Sequence, residues 1–443
     1  VPAYAADHDK VYAHIDEHID EHVAHLQRWI RQPSISPQGV GIIEMANLLK
    51  SDLLEMGFAE AELVPTDGNP GVWGYYDAGA EKTLMVYMMY DVQPVNEEDW
   101  ISTPFEARLI DHEHGRVLMG RGASNQKGPQ RAFLNALDSI IKTTGSLPVN
   151  VMITAEGEEE IGSVHYPQIV AAYEERLKTA SGVLFPMNSK RPGGQVIMDL
   201  GVKGIVYWEL EATGGAWGGP RNNEIHGSYR VLVDSPPMRL ARAITSMTAA
   251  DGNTVVVPGF YDGIEPPSVA QQRLINGMAK VWDDAGVQES LGVDRWVYDV
   301  TGRDAIVQYL YMPTLNVDGI WGGYIDAGTK TVLPHKATAK MDSRLPPGLD
   351  PDETLEKIRR HLDDQGFGDL VIREYDSYPA AHTQVEDPFV QAAISVYNKR
   401  GHPVAVRPWL AGSAPFYMFT EHLGIPLVFS SPGYGDGVHG PNE

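Results

Sequence analysis

Three short apolar runs constrain this chain more than any other feature: TLMVYM at 83–88, NVMITA at 150–155 and GVLFPM at 182–187. Each is almost continuously apolar and too short for a buried helix, so each reads as a strand covered on both faces. Between the first two, helical spacing begins near Lys127 and places Phe133, Leu134, Leu137, Ile140 and Ile141 on one side. Strands alternating with helices predict an α/β layer structure. Two helices precede this region. The first spans 8–31, with Val11, His14, Ile15, Ile19, Val23, Leu26 and Ile30 in register. The second spans about 40–56, with Ile43, Met45, Leu48, Leu49, Leu53 and Leu54.

The pattern changes after Val202. GIVYWELEA (204–212) and HKATAKMDSRL (335–345) alternate as half-exposed strands do. Helices are expected near 236–248, 267–282 and 351–366, with a strand at 369–374. Strand–helix alternation then resumes, with a helix at 412–423 and a strand at 425–430. At 443 residues the chain exceeds one ordinary core. It is expected to form a discontinuous α/β domain, 1–202 with 378–443, interrupted by an α+β domain at 203–377.

Composition removes several function classes. A net charge of −24 argues against nucleic acid and anionic membranes as partners. No apolar run reaches the roughly 20 residues that span a bilayer. Without cysteine there is no disulfide, thiolate metal site or cysteine nucleophile. Ala3-Tyr4-Ala5 has the form of an export-signal remnant, but a cytoplasmic location is the simpler expectation.

The chemistry gathers in four segments. In MMYDVQP, Met89 and Asp91 share one side of a strand end; an H-x-D pair there would be a metal-binding histidine oriented by a carboxylate. GRGASNQKGP is a loop opening a helix and carries Asn125 and Gln126. AEGEEEIGS follows a strand with Glu158, Glu159 and Glu160. His439 sits in the glycine-rich GVHGPNE.

These segments, with PTLNVDGI (313–320), KTVLP (330–334) and SRLPP (343–347), resemble zinc exopeptidase family twenty, the aminoacylase, carnosine dipeptidase and glutamate carboxypeptidase relatives. The dipeptidase branch is the most similar. The resemblance implies a mixed-sheet α/β sandwich catalytic domain with an inserted α+β dimerisation (lid) domain, and a homodimer through the insertion. It implies one metal held at the positions of Met89, Asn125 and Met187, and another held by Asn125, Glu160 and His439. Glu159 falls on the family's general base. His226 matches an oxyanion-stabilising histidine, although HGS replaces the usual HSG. Asn316 and Arg344 match groups that hold substrate carbonyl and carboxylate, and Gly412-Ser413 matches an anion-binding loop at a helix start. Family chains continue past H-x-P-N-E into a closing helix. These residues end at Glu443, so either the chain continues or the fold closes early.

Thioethers and an amide are poor replacements for hard zinc ligands. The expectation is therefore no metal cofactor, with a single weakly held zinc at Glu160 and His439 as the residual case. A soft Cu(I) site at Met88, Met89 and Met187 is outweighed by core packing. Asp91, Glu159 and Glu160, left without cations, should include at least one carboxyl with a raised pKa. The function expected is metal-independent acid–base catalysis on a small substrate bearing a carboxylate or amide, by hydrolysis, elimination, cyclisation or isomerisation. Glu159 would act as acid or base, Glu160 or Asp91 would share a proton, and His226, His439 and Arg344 would supply positive charge. A non-catalytic binding or scaffold protein is the alternative. A zinc dipeptidase with atypical ligands ranks last.

Overall fold

The three apolar runs pair with one another. In the computed structural model, which describes residues 8–112, 115–190, 195–402, 404–431, 433–435 and 438–443, Asn150–Glu156, Thr83–Met89 and Val183–Phe185 lie side by side and parallel. They occupy the middle of an eight-stranded sheet. Gly71–Tyr76 and Glu60–Val64 extend one edge antiparallel; Leu427–Phe429, Val196–Asp199 and Val404–Arg407 extend the other. The sheet is thus mixed, as expected.

Helices cover it through the spacing read from the sequence. Ile42–Glu55 buries Met45, Leu49 and Leu53 at intervals of four, in one cluster with Val72, Val86 and Ile153. Lys127–Thr144 adds Leu134 and Leu137 to that cluster. Full burial contributes about 1.5–3 kcal/mol per large apolar side chain. The long first helix is two, His8–Glu17 and Ile19–Arg31, divided at His18 by a non-helical backbone (φ −108°, ψ 19°).

The chain divides into two compact units. One comprises residues up to Gly201 with 382–408 and 418–443; the other comprises 202–381 with 409–417. In the second unit Asn316–Trp321, Lys336–Leu345, Gly201–Thr213 and Val371–Tyr378 form an antiparallel path in that order. Trp208, Leu210, Met341 and Leu345 pack in one core with Leu240, Phe260, Ile358 and Leu362. Two helices here, Asp284–Leu291 and Gly302–Tyr311, were not anticipated from the sequence. The second supplies Ile306 and Leu310 to a small core with Ile275, Met278 and Trp409.

One expectation is corrected outright. The helix placed at 412–423 is a strand, Leu410–Ser413, followed by a π-helical segment, Met418–Leu423. Pro415 has no N–H to give a helix and disfavours helical backbone at Ala414. The stretch instead pairs in parallel with Gly201–Thr213, Leu410 opposite Val202 and Ser413 opposite Lys203. Among the described residues no helix is long and apolar enough to cross a membrane. Ala3-Tyr4-Ala5 and Gly437 lie outside the described residues.

Candidate active site

Met89 stands opposite Glu156 in the parallel pair, so the loops after both strands leave the sheet at the same edge. That carboxyl edge is where open α/β sheets bind ligands. The first loop carries Asp91, fully buried, whose oxygens accept the backbone N–H groups of Glu159 (3.3 Å) and Glu160 (3.1 Å). Asp91 therefore fixes the turn Glu159–Ile161 that presents both glutamates. Glu158 is spent elsewhere: it accepts from Asn69 N (2.8 Å) and pairs with His165 Nδ1 (2.7 Å).

The cluster holds carboxyls that resist ionisation, as expected. Burial pushes Asp91 up to about 7, with Glu160 adding to the effect. Burial raises Glu159 well above the ordinary carboxylate range, reinforced by Glu160, Asp91 and Glu156. Glu156, hydrogen-bonded to Tyr87 (2.5 Å), is raised by burial to about 8.

Glu160, Asn125 and His439 meet in a tight triangle. Glu160 Oε1 lies 2.6 Å from Asn125 Nδ2, Glu160 Oε2 lies 3.0 Å from His439 Nε2, and Asn125 Nδ2 lies 2.9 Å from His439 Nε2. Gln93 Nε2 donates to Glu160 Oε2 (2.9 Å). His439 is held in a left-handed backbone conformation (φ 63°), and Glu160 raises its pKa by accepting its hydrogen bond. Glu443 anchors the loop of Asn125: it accepts from Ser124 N (3.1 Å) and Asn125 N and forms a buried ion pair with Arg121 (2.5 Å).

The triangle is internally frustrated. His439 Nε2 cannot accept from the Asn125 amide and donate to Glu160 at once. Reversing the amide sets its oxygen against the carboxylate. Next to it, Gln126 donates to Asn125 Oδ1 while its own Oε1 is buried without a partner. A divalent cation among the three groups removes the conflict, because carboxylate oxygen, amide oxygen and imidazole nitrogen can all turn lone pairs toward it. No three His, Asp or Glu among the described residues form a ready-made metal cluster; the third member here is an amide. Met89, buried, and Met187, half-buried, offer only thioethers. The residues present therefore fit one hard cation and not a pair.

The other anticipated residues lie in the second unit. His226, exposed at the end of the short strand Ile225–His226, accepts from Ser228 N (3.2 Å) and sits 2.8 Å from Ser228 Oγ. The HGS order thus places the serine within hydrogen-bond reach of His226 Nδ1. Asn316 and Arg344 both bond to one buried carboxylate, Asp342. Gly412 and Ser413 are not at a helix start but in the strand described above, and Ser413 Oγ donates to Gly204 O (2.9 Å). The helix-start anion site expected there is withdrawn. Gln93, Gln126, Asp342 and Glu443 had no role in the sequence reading. Their signal was polarity inside segments that otherwise carry glycine, proline or buried strand residues.

A sequence profile described as Peptidase family M20/M25/M40 matches residues 85–443. The chain belongs to this family. A crystal structure of an M20 family metallo-carboxypeptidase, Sso-CP2 from Sulfolobus solfataricus, is 34% identical with a TM-score of 0.86, covering 96% of this chain and 94% of that one. The Cys-Gly metallodipeptidase DUG1 of Candida albicans is 27% identical across 97% of this chain and 91% of its own length. The human Beta-Ala-His dipeptidase is 28% identical across 80% of this chain and 71% of its own.

Those names correct two expectations about this M20 chain. Relatives called metallodipeptidase and metallo-carboxypeptidase point to cation-dependent peptide hydrolysis. That overturns the metal-independent reaction and the absence of a cofactor. The dipeptidase ranked last is the function the relatives favour. Counting lost ligands position by position set Glu160, Asn125 and His439 aside as too weak a site, whereas the three lie within 3.0 Å of one another.

Proposed function

We propose that this protein is a cation-dependent dipeptidase that works with one divalent ion. The convergence of Glu160, His439 and Asn125 beside Glu159 is the observation that supports it. An ion held by Glu160, His439 and the Asn125 amide oxygen would polarise the carbonyl of the scissile peptide bond. Glu159 takes a proton from the attacking water and returns it to the departing amine. Asp91 keeps Glu159 and Glu160 in place through their backbone N–H groups. In the second unit His226, Asn316 and Arg344 are the proposed substrate-recognition groups, and this unit serves as the homodimer surface.

The test is hydrolysis of Cys-Gly and β-Ala-His, the substrates in the relatives' names, together with metal analysis. The proposal expects cleavage that chelator abolishes and zinc restores, with about one ion per chain. Cleavage indifferent to chelator, or no cleavage of either peptide after zinc loading, refutes it.

A further inference from the structure

Histidine recurs at 14, 18 and 22, and residues four apart share one face of a helix. The backbone bonds His18 N to His14 O and His22 N to His18 O (both 3.0 Å) carry that face across the break between His8–Glu17 and Ile19–Arg31. The His14 and His18 rings stack, with centroids 4.0 Å apart and planes 16° from parallel. The His22 ring, almost fully buried, lies 6.5 Å from that of His14.

The hydrogen bonds decide which nitrogens are available. His18 Nδ1 lies 2.8 Å from His14 O, and a carbonyl only accepts, so Nδ1 carries the proton and Nε2 keeps its lone pair. A ring nitrogen donating to a backbone carbonyl is how metal-binding histidines are usually oriented. His14 Nδ1 is buried without a hydrogen-bond partner. A ligand that accepts lone pairs satisfies both nitrogens together. A tetrahedral ion about 2.0–2.1 Å from each nitrogen holds two of them about 3.3 Å apart, a separation that a swivel of rings stacked at 4.0 Å provides. Two histidines at i and i+4 on one helix face are a metal-binding spacing.

The surroundings favour a cation. Asp16, Glu17, Asp20 and Glu21 are exposed along the same stretch. Lys142, on the helix packed against it, is tied to Asp138 (2.9 Å) and Glu21 (3.9 Å). Burial and then His25 lower the pKa of His22, so its ring stays neutral beside an arriving ion. Among the described residues no third imidazole or carboxylate already stands in a ligating position, so water completes the shell.

We infer that His14 and His18 form a two-histidine clamp for a divalent transition ion of the kind imidazole suits, zinc or copper. The ion staples the first helix, which buries only Val11, to the helix that follows it. The clamp is independent of the active-site triangle and of the reaction assigned to it.

Cu²⁺ is the probe, because bound imidazole nitrogens can be counted from the splitting of its electron paramagnetic resonance spectrum. The triangle supplies one imidazole, so the full-length His439→Gln variant isolates the clamp. That variant should bind about one Cu²⁺ per chain through two imidazole nitrogens. Adding His18→Gln, a substitution that keeps a good helix former, should weaken binding by at least about tenfold. At copper ten times the dissociation constant, amide exchange across residues 8–17 should slow about tenfold in the His439→Gln protein and remain unchanged once His18 is also replaced. No bound copper, fewer than two imidazole nitrogens, or copper retained equally after His18→Gln overturns the clamp. Unaltered exchange across residues 8–17 with copper bound overturns the staple. Should the His18→Gln protein melt early, the nitrogen count in the His439→Gln protein decides, with His14→Gln as the second variant.

Discussion

Replacing Asn125 with aspartate tests the triangle at its centre. The amide nitrogen lies 2.6 Å from Glu160 Oε1, so the new carboxylate meets an existing one at contact distance. Two unit charges 4 Å apart repel by about 4 kcal/mol at an effective dielectric of 20. Proton sharing between the pair limits the cost to about 3–4 kcal/mol. In chelator, Asn125→Asp should therefore lower the melting temperature of the unit containing it by about 10 °C. Zinc reverses the sign, because the added charge now faces a cation. At a zinc concentration 100 times the dissociation constant, binding returns about 2.7 kcal/mol. The assay is thermal unfolding of wild type and variant in EDTA and across a zinc titration. The variant should start lower and climb further. If it melts with wild type in EDTA, or if zinc moves both equally, then Asn125 is not part of a cation site.

Other perturbations report on separate parts of the chain. Glu159→Gln should reduce dipeptide turnover by about 10²–10⁴-fold with KM nearly unchanged, measured by steady-state kinetics; a fall of less than tenfold removes Glu159 as the proton carrier. Glu443→Gln leaves Arg121 charged and buried, which should cost about 3–5 kcal/mol in urea unfolding. Lys203 is buried, donates to Tyr309 O and Met312 O (both 2.7 Å), and is lowered by desolvation to about 7. Between pH 7 and 10.5 the unfolded chain holds the Lys203 proton and the folded chain does not, so stability should rise with pH there and the penalty should be full below 7. Wild type should gain up to about 1.4 kcal/mol per pH unit relative to Lys203→Met over that window, and parallel pH profiles for the two would show the group stays charged.

The fold was legible where burial speaks through periodicity. The runs at 83–88, 150–155 and 182–187 could only be strands covered on both faces, and Met45, Leu49 and Leu53 declared the inner side of their helix. It was illegible where a tertiary partner outbids local preference. In LAGSAPFYMF only Pro415 speaks against a helix start, and the strand itself is decided by Val202 and Lys203, which pair with it. The two helices at 284–291 and 302–311 escaped for a related reason. The helix at 302–311 gives Ile306 and Leu310 to a small core with Ile275 and Trp409, and the helix at 284–291 buries none of its residues, so neither carries a wide apolar stripe.

The site shows a different limit. Residue types report which donors exist, and on that basis Met89, Asn125 and Met187 read as three losses. What a group can hold depends on how its atoms are satisfied together, which is a property of several residues at once. Gln126 bonds one end of the Asn125 amide, Glu160 and His439 compete for the other, and Asp91 and Glu443 fix the backbones that bring them within 3 Å. Each of those residues was visible in the sequence. How their atoms are satisfied together was not, and it is this, rather than the inventory of ligands, on which the proposed single-cation site rests.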